Sequence, residues 1–300
     1  MVFAVFRLRH LVATLRGIMA FAVIGASVTS SHAAENCGPA FDNKQSGGKN
    51  FSIYHSLVYR GQPDLEGAGI RKVRIIDRDV LTENKADPQI DARRVQALVP
   101  SIPQNQTPLI LDFEQFSTSG DPQAVNRSIG KLNEIAAAFR AAQPGLKIGH
   151  YGVLPVRDYW RSLSQDRRNG PFRDWQIQND RLKQLEQHVD VLFPSLYTFY
   201  EDQEGWRKFA VSQICEARRI SDKPVIVFLW PEYHDSNQKV QGRFIPGDYW
   251  KMQLETAYRY ADGIVIWGGY DIKNRRPHDW DEQAAWWQQT VAFMKKMRQQ

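Results

Sequence analysis

Pro108-Leu109-Ile110-Leu111-Asp112-Phe113-Glu114-Gln115-Phe116 is the stretch that decides how the chain reads. A short, near-continuous apolar run of this kind is the pattern of a parallel strand buried on both faces. Side chains alternate along a strand, so Asp112 and Glu114, just past the run, are expected on one side, with Cα atoms roughly 6 to 7 Å apart. The same D-x-E spacing recurs at Asp64-Leu65-Glu66 and Asp202-Gln203-Glu204, but neither copy directly follows a buried run. Placement therefore singles out Asp112 and Glu114.

Similar runs lie on both sides: Val73 to Ile76, Leu146 to Tyr151, Val189 to Pro194, Pro224 to Trp230 and Gly263 to Trp267, with a further strand expected within Phe51 to Tyr59. Between them the spacing predicts helices over Asp121 to Ala142, Trp175 to His188, Trp206 to Ile220, Gly247 to Ala261 and Asp281 to Met297. The first opens on Asp121-Pro122, a cap followed by proline at the first helical position. Repeated βα units predict an α/β fold, a TIM-like (β/α) barrel of seven or eight parallel strands. A doubly wound open sheet is the rival, and no G-x-G-x-x-G or Walker-type turn supports it. With no break in composition, residues 51–300 are expected to form one barrel domain after a flexible lead-in at 34–50.

The N-terminus stands apart. Arg7, Arg9 and Arg16 precede an uncharged run, Gly17 to Val28, and a small-residue ending, Ser30-Ser31-His32-Ala33-Ala34. This is the layout of a secretory leader, expected to be removed as residues 1–33. The run is about a dozen residues, short of the roughly 20 that span a bilayer, so no lasting membrane anchor is expected. The chain is then periplasmic or secreted. Losing three arginines lowers the formal net charge of +6 by three. The small remainder, carried by scattered basic pairs, argues against nucleic acid as a partner. In an oxidising compartment Cys37 and Cys215 could pair, pinning the mature N-terminus to a helix. Neither cysteine nor any of the seven histidines shows metal-ligand spacing, so neither a metal nor another cofactor is expected.

In such a barrel, function sits at the carboxyl ends of the strands. Those ends are aromatic and polar together: His150 and Tyr151, with Tyr159 and Trp160 nearby; Tyr197, Phe199 and Tyr200; Trp230, Tyr233 and His234; Trp267, Tyr270 and Asp271. Flat rings suit sugar faces, and tyrosine hydroxyls and carboxylates orient hydroxyl and amide groups. Trp175, Trp206 and the adjacent Trp286-Trp287 fall inside helical segments and are read as packing.

Several of these segments together resemble the hyaluronidase family of glycoside hydrolases. Leu111 to Phe116 is similar to that family's acidic D-W-E-x-W motif, with Phe113 and Phe116 replacing its tryptophans. Gly149-His150-Tyr151-Gly152, followed by Pro155 and by Asp158-Tyr159, resembles its G-x-Y-G-x-P segment ending in a tyrosine. Phe193 to Tyr197 resembles Y-P-S-I-Y, Pro224 to Asp235 a strand running into tyrosine and aspartate, and Ile264 to Gly268 the final V-V-L-W strand. The motif order agrees from Leu109 to Gly268, whereas the family's disulfides are not reproduced. The resemblance implies a distorted (β/α) barrel. It further implies an enzyme cleaving a β-linked N-acetylhexosamine-containing polysaccharide with retention, by a substrate-assisted route. Glu114 would be the general acid, carrying its proton near neutrality. Asp112 would orient the acetamido group, with Tyr151, Tyr159, Tyr197, Tyr233 and Trp267 binding substrate. Two acids so close titrate jointly, one holding a proton. Two alternatives stay open: a glycosidase with a separate carboxylate nucleophile, drawn from Glu201, Glu232 or Asp271, and a barrel that binds glycan without cutting it.

Overall fold

The computed structural model describes residues 50–82, 89–102, 107–271 and 273–299. The expected leader, nearly all of the lead-in and Cys37 lie outside the described residues. Among the described residues no helix is long and apolar enough to cross a membrane.

The elements in chain order are β1 (Ser52–Leu57), β2 (Arg71–Lys72), β3 (Arg74–Ile76), α1 (Ala92–Leu98), β4 (Leu109–Leu111), α2 (Pro122–Ala142), β5 (Ile148–His150), α3 (Tyr159–Ser162), α4 (Gly170–Leu182), α5 (Gln203–Ile220), β6 (Ile226–Leu229), α6 (Gly247–Tyr260), β7 (Gly263–Gly268), β8 (Tyr270–Asp271), β9 (Arg276–Pro277) and α7 (Ala285–Met297). One parallel sheet runs β2-β1-β7-β6, a second runs β3-β4-β5, and β8 and β9 form a small antiparallel hairpin. The quoted stretch is central to the second sheet: Leu109 pairs Arg74 on one side and Ile148 on the other.

The two parallel sheets touch at both margins. On one side β2 and β3 are separated by Val73 alone, whose N–H donates to the His55 carbonyl at 3.0 Å. On the other, residues near Phe193 bridge β5 to β6: Tyr151 pairs Phe193, Leu192 pairs Val225 and Ser195 pairs Phe228, all in parallel. The expected strand over Val189 to Pro194 is thus isolated bridges rather than a continuous ladder. Pro194 lacks the N–H a ladder needs at its position.

Packing follows the alternation of side chains. Leu109, Leu111, Ile148, Val227, Leu229, Ile264 and Ile266 join a large core with the apolar faces of the helices. Their neighbours Ile110, Tyr151, Phe193, Ile226, Phe228, Trp230 and Val265 form a second, separate cluster with Tyr54 and Val73. The strands β1, β4, β6 and β7 thus have one face toward helices and one toward strands, which is why these runs read as continuously apolar. Gly149 is dictated by this inner cluster. A Cβ there would lie 2.3 Å from the Val191 carbonyl oxygen and 2.6 Å from the Phe193 ring.

The helices match their predicted positions with shifted ends. α2 begins as read: the Asp121 carboxylate accepts from the Ala124 N–H at 2.8 Å, and Pro122 follows it. α5 starts three residues before Trp206, because Asp202 caps it by accepting from the Gly205 N–H at 2.9 Å. The expected Trp175–His188 helix is α4 followed by a 3-10 turn, Lys183–His188. α1 was not foreseen; Val95 is its one buried residue, so it leaves no apolar stripe in the sequence. Trp175, Trp206, Trp286 and Trp287 are buried, as expected of packing residues. The indoles of Trp175 and Trp206 donate to the carbonyls of Val156 (2.8 Å) and Leu196 (3.0 Å). Cys215, buried on α5, is disulfide-bonded.

Overpacking a dense core costs about 1–3 kcal/mol, and at Gly149 the obstacle includes rigid backbone. Gly149→Ala is expected to lower the unfolding free energy measured in urea by at least that much; an unchanged midpoint would contradict the close approach of Val191 and Phe193.

Candidate active site

The acid pair is built by the end of β4. The strand continues one residue further through its backbone, the Asp112 N–H donating to the Ile76 carbonyl at 2.8 Å. Phe113 turns the other way: it is 2% exposed, belongs to the helix-facing core and stacks on Phe116 at 6.2 Å. With Phe113 committed to that side, Asp112 and Glu114 both line a cavity of about 170 Å³. Tyr151 and Arg157 follow β5 into it, Tyr197 comes from the bridging segment, and Trp267 from β7. β6 and its exit supply Phe228, Trp230, His234 and Asp235.

The two carboxyls differ in environment. Glu114 is exposed, whereas Asp112 is partly buried. Asp112 Oδ1 is shielded from solvent and accepts no hydrogen bond from the protein. Burial, then the charges of Glu114 and Asp77, pushes the Asp112 carboxyl up to about 7. The group that the fold brings into the neutral range is thus the inner acid.

The tyrosines beside it remain neutral donors. Burial raises Tyr197 well above the ordinary phenol value, and raises Tyr151 to about 12. The Tyr151 hydroxyl shares a 3.0 Å hydrogen bond with Ser195 Oγ. Tyr197 packs 5.7 Å from Trp267 and 5.4 Å from Trp230, and the two indoles meet edge-on at 4.8 Å. Arg157 donates to Ser195 Oγ at 3.3 Å and lies over the Phe199 ring. His234 is held below its usual value by burial and then by Arg157, although its Nδ1 lies 3.0 Å from Asp235 Oδ1.

Of the residues singled out from the sequence, Asp112, Glu114, Tyr151, Tyr197 and Trp267 are brought together, with the strand-end Trp230 and His234 beside them. Tyr159 and Tyr233 are not among the lining residues. Tyr159 packs against Trp160, Tyr200 and Phe209 outside the cavity. Tyr233 is buried in the helix-facing core beside Tyr249. The inward residues of β6 and its exit are Ile226, Phe228 and Trp230, and the chain bends at Pro231 before Tyr233. His150 is likewise turned from the inner cluster by the parity that turns Tyr151 into it.

The three carboxylates considered as separate nucleophiles also lie elsewhere. Glu201 pairs with Arg243, and Asp271 is hydrogen-bonded to Asn274. Glu232 is 2% exposed, 3.6 Å from His278 Nε2, and pushed up to about 7 by burial. The cavity carboxylate besides the pair is Asp235. Arg157 and Asp235 were missed as site residues. Arg157 is seven residues beyond the end of β5, where spacing along a strand no longer says which way a side chain points. Among the described residues no group of three or more His, Cys, Asp or Glu is arranged to hold a metal ion.

Parallel strand ends thus bring two acids and a set of aromatic rings into one cavity, at the place where folds of this kind hold their ligand sites. No family model matches the chain. It is 34% identical over 98 residues to a hyaluronidase of Polistes annularis, covering 31% of this chain and 26% of that one. It is 29% identical over 145 residues to a hyaluronidase of Polybia paulista, covering 46% and 48%. The chain therefore spans about a quarter to a half of the length of these curated relatives. The fold is similar to bee venom hyaluronidase, solved in complex with a hyaluronic acid tetramer, with a TM-score of 0.52 at 15% identity over 83% of this chain and 96% of that one. This chain is a distant relative of the hyaluronidases.

Asp112 holds its proton in the folded chain up to about pH 7, whereas an unfolded aspartate ionises near about 3.9. The folded state binds more protons between those values, so stability falls as pH rises through that window and the cost is complete above it. Asp112→Asn removes the cost. Urea unfolding should show parent and variant alike near pH 4, with the variant more stable by on the order of 2 kcal/mol at pH 8. An equal difference at both pH values would contradict the assignment.

Proposed function

We propose that the chain is an exported glycoside hydrolase that cleaves a β-linked N-acetylhexosamine-containing polysaccharide with retention. One observation carries the reading: Asp112 and Glu114 enter the same cavity, walled by Tyr151, Tyr197 and Trp267. The frame we propose is a distorted (β/α) barrel of seven strands formed by residues 51–300. Contact between the two parallel sheets at both margins and the separate inner cluster support closure. Export rests on the leader-like N-terminus, and fits periplasm or secretion alike.

Glu114, on the exposed side of the pair, donates its proton to the glycosidic oxygen as the bond from that oxygen to the anomeric carbon breaks. The substrate's acetamido oxygen forms a bond to the same carbon from the opposite face, giving a cyclic oxazolinium ion. Asp112 suits the amide N–H: its shielded Oδ1 has no donor in the protein, and an acceptor left unpaired out of water is costly. Tyr197, kept protonated by burial, donates toward the acetamido oxygen, while Trp267 offers a ring face to the sugar. Water then attacks the anomeric carbon as its bond to the oxazolinium oxygen breaks and the acetamido group re-forms, Glu114 takes a proton from that water, and two inversions leave retained configuration.

Asp235 gives the separate-nucleophile alternative a specific candidate, because it lines the cavity whereas Glu201, Glu232 and Asp271 do not. We expect Glu114→Gln to lower turnover by about 10²- to 10⁴-fold with oligosaccharide affinity and unfolding midpoint unchanged, and Asp235→Asn to cost much less. Hyaluronan, chondroitin and peptidoglycan fragments are the substrates to screen, reading new reducing ends. Full activity of Glu114→Gln would remove the assignment. Arrest by Asp235→Asn, with no inhibition by a thiazoline mimic of the cyclic intermediate, would favour the protein nucleophile. Oligosaccharide binding by the parent chain without new reducing ends would favour a non-catalytic glycan binder.

A further inference from the structure

Trp160 is 68% exposed, an unusual position for the largest apolar side chain. A single exposed apolar residue needs no explanation, but Trp160 is not single. Its ring lies 5.1 Å from Tyr159 and 5.6 Å from Tyr200, itself 36% exposed, and those two tyrosines are 5.0 Å apart.

Three rings in mutual contact are held on fixed supports. Asp158 caps the short α3, accepting from the Arg161 N–H at 2.7 Å, and its other oxygen pairs with Arg161 Nε at 2.6 Å. Tyr159 packs on Phe209 of α5 at 5.3 Å, and the Tyr200 carbonyl accepts from the Tyr249 hydroxyl at 3.3 Å. The rings are therefore presented to solvent by anchored backbone.

The cluster is continuous with the cavity. Tyr200 adjoins Phe199 at 6.4 Å, and Phe199 lies 4.6 Å from the cavity-lining His234 and beneath the cavity-lining Arg157. A path of rings thus leads from Trp160 to the wall formed by Tyr197 and Trp267. Two of the three outer rings carry a hydroxyl and the third an indole N–H, with no exposed aliphatic side chain among them. That mixture of flat apolar faces and polar edges fits a sugar better than a lipid or an apolar peptide.

We propose that Tyr159, Trp160 and Tyr200 form a second sugar-binding platform, which holds a glycan chain beyond the units occupying the acid-pair cavity. This rests on the glycan-cleaving reading of that cavity and gives it a preference for long substrates. Tyr159, absent from the cavity, has its role here. The occupant is the polysaccharide itself, because ring contacts through Phe199 and His234 connect the platform to the cavity where its cleavage is proposed.

The test measures binding in a Glu114→Gln background, so that cleavage does not intervene, with high-molecular-weight hyaluronan and a hyaluronan tetrasaccharide as probes. Trp160→Ala should weaken polymer binding by about threefold to tenfold and leave tetrasaccharide affinity within about twofold. Trp160→Phe should restore most of the loss. Trp160 is largely in solvent, so the variant's unfolding midpoint should match its parent's. Equal losses for both probes, an unchanged polymer affinity, or no polymer binding by the parent would each overturn the platform. Failure of the catalytic reading looks different: the unsubstituted chain releases no reducing ends, while the Trp160 variants still separate polymer from tetrasaccharide.

Discussion

The burial of Phe113 is the constraint on which the site depends. Asp112 and Glu114 flank a side chain that packs into the core between strands and helices, stacked on Phe116. Freeing it would expose a large aromatic surface, at a cost of about 1.5–3 kcal/mol or more. The acids therefore line one cavity with no side-chain ion pair or hydrogen bond to hold them among the described residues. This suits a reactive pair, because a salt bridge would fix a carboxylate in its charged form and remove the proton that general acid chemistry needs.

Desolvation then divides the roles. The same cluster that fills the space between the strands shields Asp112, Tyr197 and Tyr151, and each is pushed toward its neutral form. Glu114 lies on the exposed side. One pattern of burial thus produces a shielded acceptor, neutral phenol donors and an accessible acid. Ionising Asp112 in place costs stability, a common consequence of shaping a site for reaction instead of for packing.

Much of this was legible because strand parity is a strict rule. The apolar runs and the inward turn of Asp112, Tyr151 and Trp267 follow from residues within or one step past a strand, whereas Glu114 and Tyr197 reach the same cavity from just beyond regular strand. Legibility fails where the chain leaves the strand. Arg157 and Asp235 reach the cavity on loops whose direction no local period fixes. Tyr233 lies four residues past β6, beyond a bend at Pro231, where strand parity no longer sets its direction. Tyr159 belongs to α3, too short for any periodic signal. The resemblance to hyaluronidase motifs ordered these segments, but a motif match fixes neighbourhood in sequence more firmly than the direction of a side chain.

The aromatic wall shows how closely backbone and site are matched. Trp230 and Trp267 meet edge-on at 4.8 Å, on adjacent strands paired in parallel. The residue after Trp267 must pass directly beneath the Trp230 indole: a Cβ on Gly268 would lie 2.9 Å from Trp230 Cδ1. Gly268 also has φ of +142°, in the range that disfavours residues bearing a Cβ. Two constraints, one steric and one conformational, thus select glycine at the same position. The Trp-Gly pair ending β7 is therefore one structural unit, in which the glycine lets two strands carry tryptophans close enough to form a continuous face beside Tyr197. A larger residue there would have to displace the Trp230 indole and part the wall, even though its own side chain need never enter the cavity.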